Sequence, residues 1–221
     1  MDWLITPPPL VEIESGQFIH EAIVDDVQNL QQQAALQGVN VNIASGYRSI
    51  ERQLAIWNAK WSGTRALISR DGQALNPQQL TDREKLQAIL TWSALPGASR
   101  HHWGTDFDVY DKFAMDKAGT KLQLVVPEFE NGGPCAPLSD WLSHHAYNLK
   151  FARPYIEDKG GIAKEPWHLS HFESAKQFEA QLDLESLTDF ITGIDIAGKS
   201  AILQNIGWIF PRYVLNKGDR T

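Results

Sequence analysis

The sequence predicts one mixed domain of helices and strands, and three observations carry that expectation. Helical spacing of apolar residues and strand-like alternation take turns along the chain. Gly- and Pro-rich breaks fall between these stretches. At 221 residues with 43% hydrophobic content, the chain can bury one substantial core with elaborations.

Residues 1–17, which include Pro7, Pro8 and Pro9, are expected to form an extended arm. From Ile19 to Leu36, Ile19, Ala22, Ile23, Val27, Leu30 and Ala34 recur at helical spacing, and Gly38 ends the run. Val39, Val41 and Ile43 then alternate with polar or small residues as a half-buried strand that delivers Ser45-Gly46-Tyr47-Arg48. A second helix is expected from Ser49 to Trp61, followed by an irregular stretch over 62–80. Thr81 and Glu84 fit a capping box at the start of a helix from Asp82 to Leu95, which Pro96-Gly97 stops. Gly104–Tyr110 is expected as a strand with Asp106 and Asp108 on one face and Phe107 and Val109 on the other. After a loop over 127–138, Ser139 should cap a helix to Leu149. Phe151–Ile156 and Trp167–Phe172 should be strands, and short helices follow Glu173.

Composition narrows the function. A net charge of -7 with no run of Lys or Arg gives no footprint for nucleic acid or an anionic membrane, so the expected partner is a small molecule or peptide. No stretch has the length and apolarity of a membrane span. The first residues lack a secretory signal, which makes the cytoplasm the expected compartment if Met1 is the native start, and the periplasm or envelope otherwise. Cys135 is the single cysteine, in a Gly/Pro-rich loop with no nearby base, and is expected to be an inert thiol.

The chemistry concentrates in Ser99-Arg100-His101-His102-Trp103-Gly104-Thr105-Asp106-Phe107-Asp108 and Glu165-Pro166-Trp167-His168. His101, Asp108 and His168 supply the mixed nitrogen and oxygen set that catalytic Zn²⁺ takes as three ligands, leaving a fourth position open. Glu165 falls close enough to His168 to sit beside the metal as a base. These are the parts of metal-assisted hydrolysis. His102 has a role near the site or none. His144 and His145 read as helix-surface residues, and His171 alternates to the strand face opposite His168.

The first string resembles the Ser-x-His-x-x-Gly-x-Ala-x-Asp motif of the zinc D-alanyl-D-alanine carboxypeptidases and dipeptidases of the VanY and VanX type. Glu165-Pro166-Trp167-His168 resembles their Glu-x-x-Trp-His motif, and Ser45-Gly46-Tyr47-Arg48-Ser49 their Gly-Tyr-Arg-Ser segment. The resemblance implies an α+β domain, with a small antiparallel sheet carrying the zinc ligands and helices packed around it. A peptidase core would span 1–172, with a helical extension over 173–221. It implies Zn²⁺ on His101, Asp108 and His168, Glu165 as general base, and Arg48 on the substrate and the developing oxyanion. Gln53 and Ser99 match positions that, in relatives removing a single D-Ala, contact the terminal carboxylate or the last peptide unit. Asp106 stands where the family usually has Ala, as a group behind the metal, a charge tuning it, or a surface acid.

The implied substrate is a peptidoglycan stem peptide. The expected compartment puts L,D-carboxypeptidase action on tetrapeptides first, ahead of D,D-carboxypeptidase or D,D-dipeptidase action. A hedgehog-like zinc module that binds peptide without cleaving it is the rival of a different class, and a metal-free structural protein a third.

Overall fold

The N-terminal segment folds back on itself instead of trailing as an arm. In the computed structural model, which describes residues 1–14 and 16–218, Asp2–Leu4 form a 3-10 turn that buries Trp3. Strand β1 (Leu10–Glu14) then pairs antiparallel with β2 (Gln17–His20). Ile19, expected in the first helix, is therefore a strand residue. A 3-10 turn at Glu21–Ile23 separates it from α1 (Val24–Ala35), whose buried Val27, Leu30 and Ala34 keep helical spacing.

Strand β3 (Asn42–Ser45) leads into α2 (Ile50–Ser62), where the Ser49 hydroxyl accepts from Arg52 N–H and Gly63 ends the helix. Two residues each of β4 (Leu67–Ile68) and β5 (Ala74–Leu75) pair within the stretch expected to be irregular. Helix α3 (Asp82–Trp92) starts with the Thr81/Glu84 capping box. Strand β6 (Asp106–Tyr110) is followed by α4 (Lys112–Ala118) and α5 (Val126–Phe129), neither foreseen. Helix α6 (Ala136–His145) begins at Ala136, not at Ser139, because Pro137 occupies the first turn, where a missing N–H costs nothing. Strand pairing around 151–172 is shorter than expected: β7 is Phe151–Ala152 and β8 His168–His171. The chain closes with α7 (Phe172–Glu179), α8 (Leu184–Gly193) and α9 (Lys199–Ile209).

The central sheet is antiparallel, in the order β3-β6-β8-β7. Ile43, Phe107, Val109 and Leu169 cover one face and pack against Val27 and Leu30 of α1 and Leu138 and Leu142 of α6. A second core joins Trp57 of α2 and Leu86, Ile89 and Leu90 of α3 to Leu187 and Ile191 of α8 and Ala201, Ile202 and Ile209 of α9. Trp57 also donates its indole N–H to the Ala197 carbonyl at 3.0 Å. Among the described residues, no helix is long and apolar enough to cross a membrane.

Candidate metal centre and peptide cavity

The site grows out of strand periodicity. Because Phe107 and Val109 face the core, Asp106 and Asp108 face the other way, and the register of β6 with β8 sets Asp108 directly opposite His168. His101 arrives from a 3-10 turn at Arg100–Trp103 that Gly104 closes at φ +70°. Glycine is required there twice over: the backbone is left-handed, and a Cβ would stand 2.9 Å from the His20 nitrogen. The same tight approach lets His20 N–H donate to the Gly104 carbonyl at 2.8 Å, tying the turn to β2.

His101, Asp108 and His168 are buried, and their ligand atoms lie within 4.8 Å of one another. The His101 Nδ1 faces the Gly46 carbonyl at 2.9 Å, so that nitrogen carries the proton and Nε2, 3.4 Å from Asp108 Oδ2, keeps its lone pair for a metal ion. His168 Nδ1 lies 2.9 Å from Asp108 Oδ1, and its Nε2 faces Asp106 Oδ1 at 3.3 Å. Burial alone would raise the Asp108 carboxyl, but His101 and His168 hold it well below the usual carboxylate range. Burial disfavours a charged His168, yet the hydrogen bonds to Asp106 and Asp108 overcome it and raise the ring to about 9. Two buried imidazole nitrogens and a carboxylate oxygen, gathered within 4.8 Å of one another, fit zinc.

Asp106 is not a surface acid. It is fully buried, and its carboxylate accepts from Arg100 Nε at 2.6 Å and Thr105 Oγ1 at 2.9 Å. Against the cost of burial, Arg100 and His168 keep it ionised, with a pKa of about 2. Arg100 was missed at the level of sequence, where its only signal is its place beside His101. Its other two nitrogens donate to Glu179 at 2.6 Å and to the Ser170 hydroxyl at 2.7 Å.

Arg48 leaves the end of β3 through a backbone with no room for a side chain. A Cβ on Gly46 would stand 2.3 Å from the Phe18 carbonyl oxygen, which accepts from Tyr47 N–H. Arg48 N–H donates to the His101 carbonyl at 3.0 Å, and its guanidinium donates to Gln53 Oε1 at 3.0 Å and Ser45 Oγ at 2.9 Å. Gln53, expected against substrate, is fully buried behind Arg48, and its amide nitrogen donates to the Ala94 carbonyl at 2.7 Å. His102 has a role after all: its Nδ1–H donates to the Arg48 carbonyl at 2.6 Å and its Nε2 accepts from Gly97 N–H at 3.2 Å. Burial lowers its pKa to about 4, so the ring stays neutral.

Arg48, Ser99, Glu165 and the three metal-ligand candidates line one cavity of about 460 Å³, walled in part by Tyr155 and Trp167. Burial raises Glu165 to about 7, so it sits between acid and base at neutral pH. Tyr155, another residue without a sequence signal, packs its ring 4.8 Å from that of His168. The remaining histidines stand apart. His144 is exposed, His145 is half-buried with its ring stacked on Trp141, and His171 faces away from the cavity toward Asp26, at 3.1 Å. Cys135 is buried, and burial pushes its thiol up.

Residues 16–174 match the family described as VanY, D-alanyl-D-alanine carboxypeptidase. A Haemophilus influenzae protein described as uncharacterized is 32% identical over 128 residues, 57% of this chain and 97% of its own length. A D-alanyl-D-alanine carboxypeptidase of Enterococcus faecalis is 28% identical over 162 residues, covering 72% of this chain but 50% of that protein. Among solved structures, the vancomycin-resistance D,D-pentapeptidase VanY of a VanB-type cassette, in complex with Zn(II), superposes with TM-score 0.53 at 25% identity, over 81% of this chain and 88% of that one. The LD-carboxypeptidase LdcB shares the fold, with TM-score 0.52 at 20% identity, over 86% of this chain and 78% of that one.

Proposed function

The chain belongs to the VanY family of D-alanyl-D-alanine carboxypeptidases, zinc metallocarboxypeptidases, and from that membership we propose that it removes a C-terminal D-alanine from peptidoglycan stem peptides. The observation that carries this reading is the convergence of His101, Asp108 and His168 in one cavity with Glu165 and Arg48. In this reading His101, Asp108 and His168 hold the zinc. The ion, when bound, supplies Lewis acidity, which makes water nucleophilic near neutral pH and polarises a carbonyl. The Glu165 carboxylate takes the proton from the attacking water and passes it to the leaving amine. The Arg48 guanidinium, fixed on one side by Gln53 and Ser45, donates to the carbonyl oxygen as negative charge develops there. Ser99 lines the wall against the end of the peptide.

For the bond itself, the terminus D-Ala-D-Ala has the stronger support, because the Enterococcus faecalis relative is described as a D-alanyl-D-alanine carboxypeptidase and the VanY structure as a D,D-pentapeptidase. Cleavage of the L,D bond of a tetrapeptide, favoured from sequence on grounds of compartment, is the second reading, since LdcB carries that activity on the same fold. Mass spectrometry of the zinc-loaded protein with pentapeptide, tetrapeptide and free D-Ala-D-Ala, with and without chelator, separates them. Chelator-sensitive loss of one D-alanine from the pentapeptide is the expected result. Loss from the tetrapeptide alone transfers the assignment to the L,D bond. No cleavage of any of the three sinks the enzymatic reading in favour of a binding module.

A further inference from the structure

Lys60 lines the same cavity as Arg48 and Glu165, yet nothing in the reaction above uses it. Gln53, Trp57 and Lys60 form one buried stripe on α2, and Lys60 is only 9% exposed. Its ammonium donates to the Ser93 hydroxyl at 2.7 Å. Among the described residues it forms no ion pair with a carboxylate within 4.0 Å. An ammonium has three hydrogens, so one hydroxyl leaves donors unspent. A buried cation with no carboxylate in contact is costly, and burial together with the nearby Arg65 and Arg48 lowers Lys60 to about 8 against the opposing charge of Glu165.

The other cations of the cavity are committed or exposed. Arg100 is spent on Asp106 and Glu179. Arg48 is aligned for the carbonyl under the reading above, and Arg65 is exposed. A peptide that loses its last residue in this cavity must bring a carboxylate into it, one residue beyond the scissile bond. We infer that Lys60 anchors the terminal carboxylate of the peptide, and so restricts the enzyme to trimming single residues from an end. The inference rests on the carboxypeptidase reading, because only there is the carboxylate of the leaving residue obligatory.

A structural rival is specific. Ser93 is the C-cap of α3, where any cation is favourable to the helix end. The two differ in ligand preference. Calorimetry on the zinc-loaded Glu165→Gln protein, which retains ligand without turning it over, would compare peptides ending in D-alanine as the free acid and as the carboxamide. Each would carry either lysine or meso-diaminopimelate at the third position. The free acid should bind about 100-fold more tightly than the amide, as for a buried charge-assisted bond. Adding Lys60→Met or Lys60→Gln should erase that preference, and Lys60→Arg should restore part of it. The acid-to-amide ratio is read within each variant, so a loss of stability does not mimic the result.

A preference that survives Lys60→Met and Lys60→Gln overturns the inference and leaves Lys60 as a support for α3. A loss that instead follows replacement of meso-diaminopimelate by lysine assigns Lys60 to the side-chain carboxylate and also overturns it. These outcomes are independent of turnover. An active wild type with an unchanged ratio defeats only the Lys60 assignment. An inactive wild type with a Lys60-dependent ratio defeats only the carboxypeptidase reading.

Discussion

Asp106 Oδ1 lies 3.3 Å from Nε2 of His168, on the side of the ring away from Asp108. A carboxylate behind a ligating imidazole fixes its orientation and raises its basicity. Here that carboxylate is itself pinned by Arg100. Asp106→Ala should weaken zinc binding by about 10- to 100-fold, read by competition with a chromogenic chelator. Unchanged affinity would reduce Asp106 to a partner for Arg100.

Gln53 holds the guanidinium of Arg48 and, fully buried, does not line the cavity that holds Arg48 and Glu165. Gln53→Met should therefore lower kcat with little change in KM, by roughly 10-fold, because a misplaced donor is lost in the transition state and not in the ground state. Steady-state kinetics decides it. An effect confined to KM would return Gln53 to the substrate.

Glu165 must be ionised to accept a proton, and burial raises its pKa to about 7. kcat/KM should accordingly rise with pH along an acid limb whose midpoint lies at or below about 7, since bound zinc favours the carboxylate. Glu165→Ala should lose about 100-fold or more in kcat while metal analysis still finds one zinc per chain. An active variant would remove Glu165 from the proton transfer.

His102 is neutral in the folded protein, because burial lowers its pKa to about 4 from the ordinary 6.5 of a histidine. The unfolded chain takes up a proton on this ring as pH falls below 6.5, and the folded protein does so only near pH 4. Stability is thus fully present above that window and declines through it, by up to roughly 3 kcal/mol. Denaturant unfolding at pH 7.5 and pH 5 should show a smaller difference for His102→Gln than for the wild type. The acid sensitivity of the metal ligands is common to both proteins and cancels.

Much of the site was legible because its chemistry lies in short strings. The spacing of His101, Gly104 and Asp108, and of Glu165 and His168, can be read without a fold. What brings them together cannot. The pairing of Asp108 with His168 depends on the register of β6 against β8, which links segments far apart in the chain. Arg100 finds its partners at Asp106, Ser170 and Glu179, and nothing local announces the last two. The direction of Gln53 was misjudged because one turn of helix decides whether a polar side chain meets solvent or its neighbour's guanidinium. The β1–β2 hairpin escaped notice since its strands are short and Ile19 also continues the helical pattern of α1. Helical runs with caps, such as α3, were the easiest to place.

Trp57, on the helix that carries Gln53 and Lys60, is sealed by α8 and α9 and not by the sheet. The last motif residue, His168, is therefore no natural seam for recombination. A chimera that grafted the segment ending at β8 onto a foreign tail would keep every ligand and the base, but would leave the underside of α2 facing whatever the new tail happened to offer. Crossovers that respect this protein's architecture exchange α2, α3, α8 and α9 together, so the heritable unit of the active site is larger than its signature.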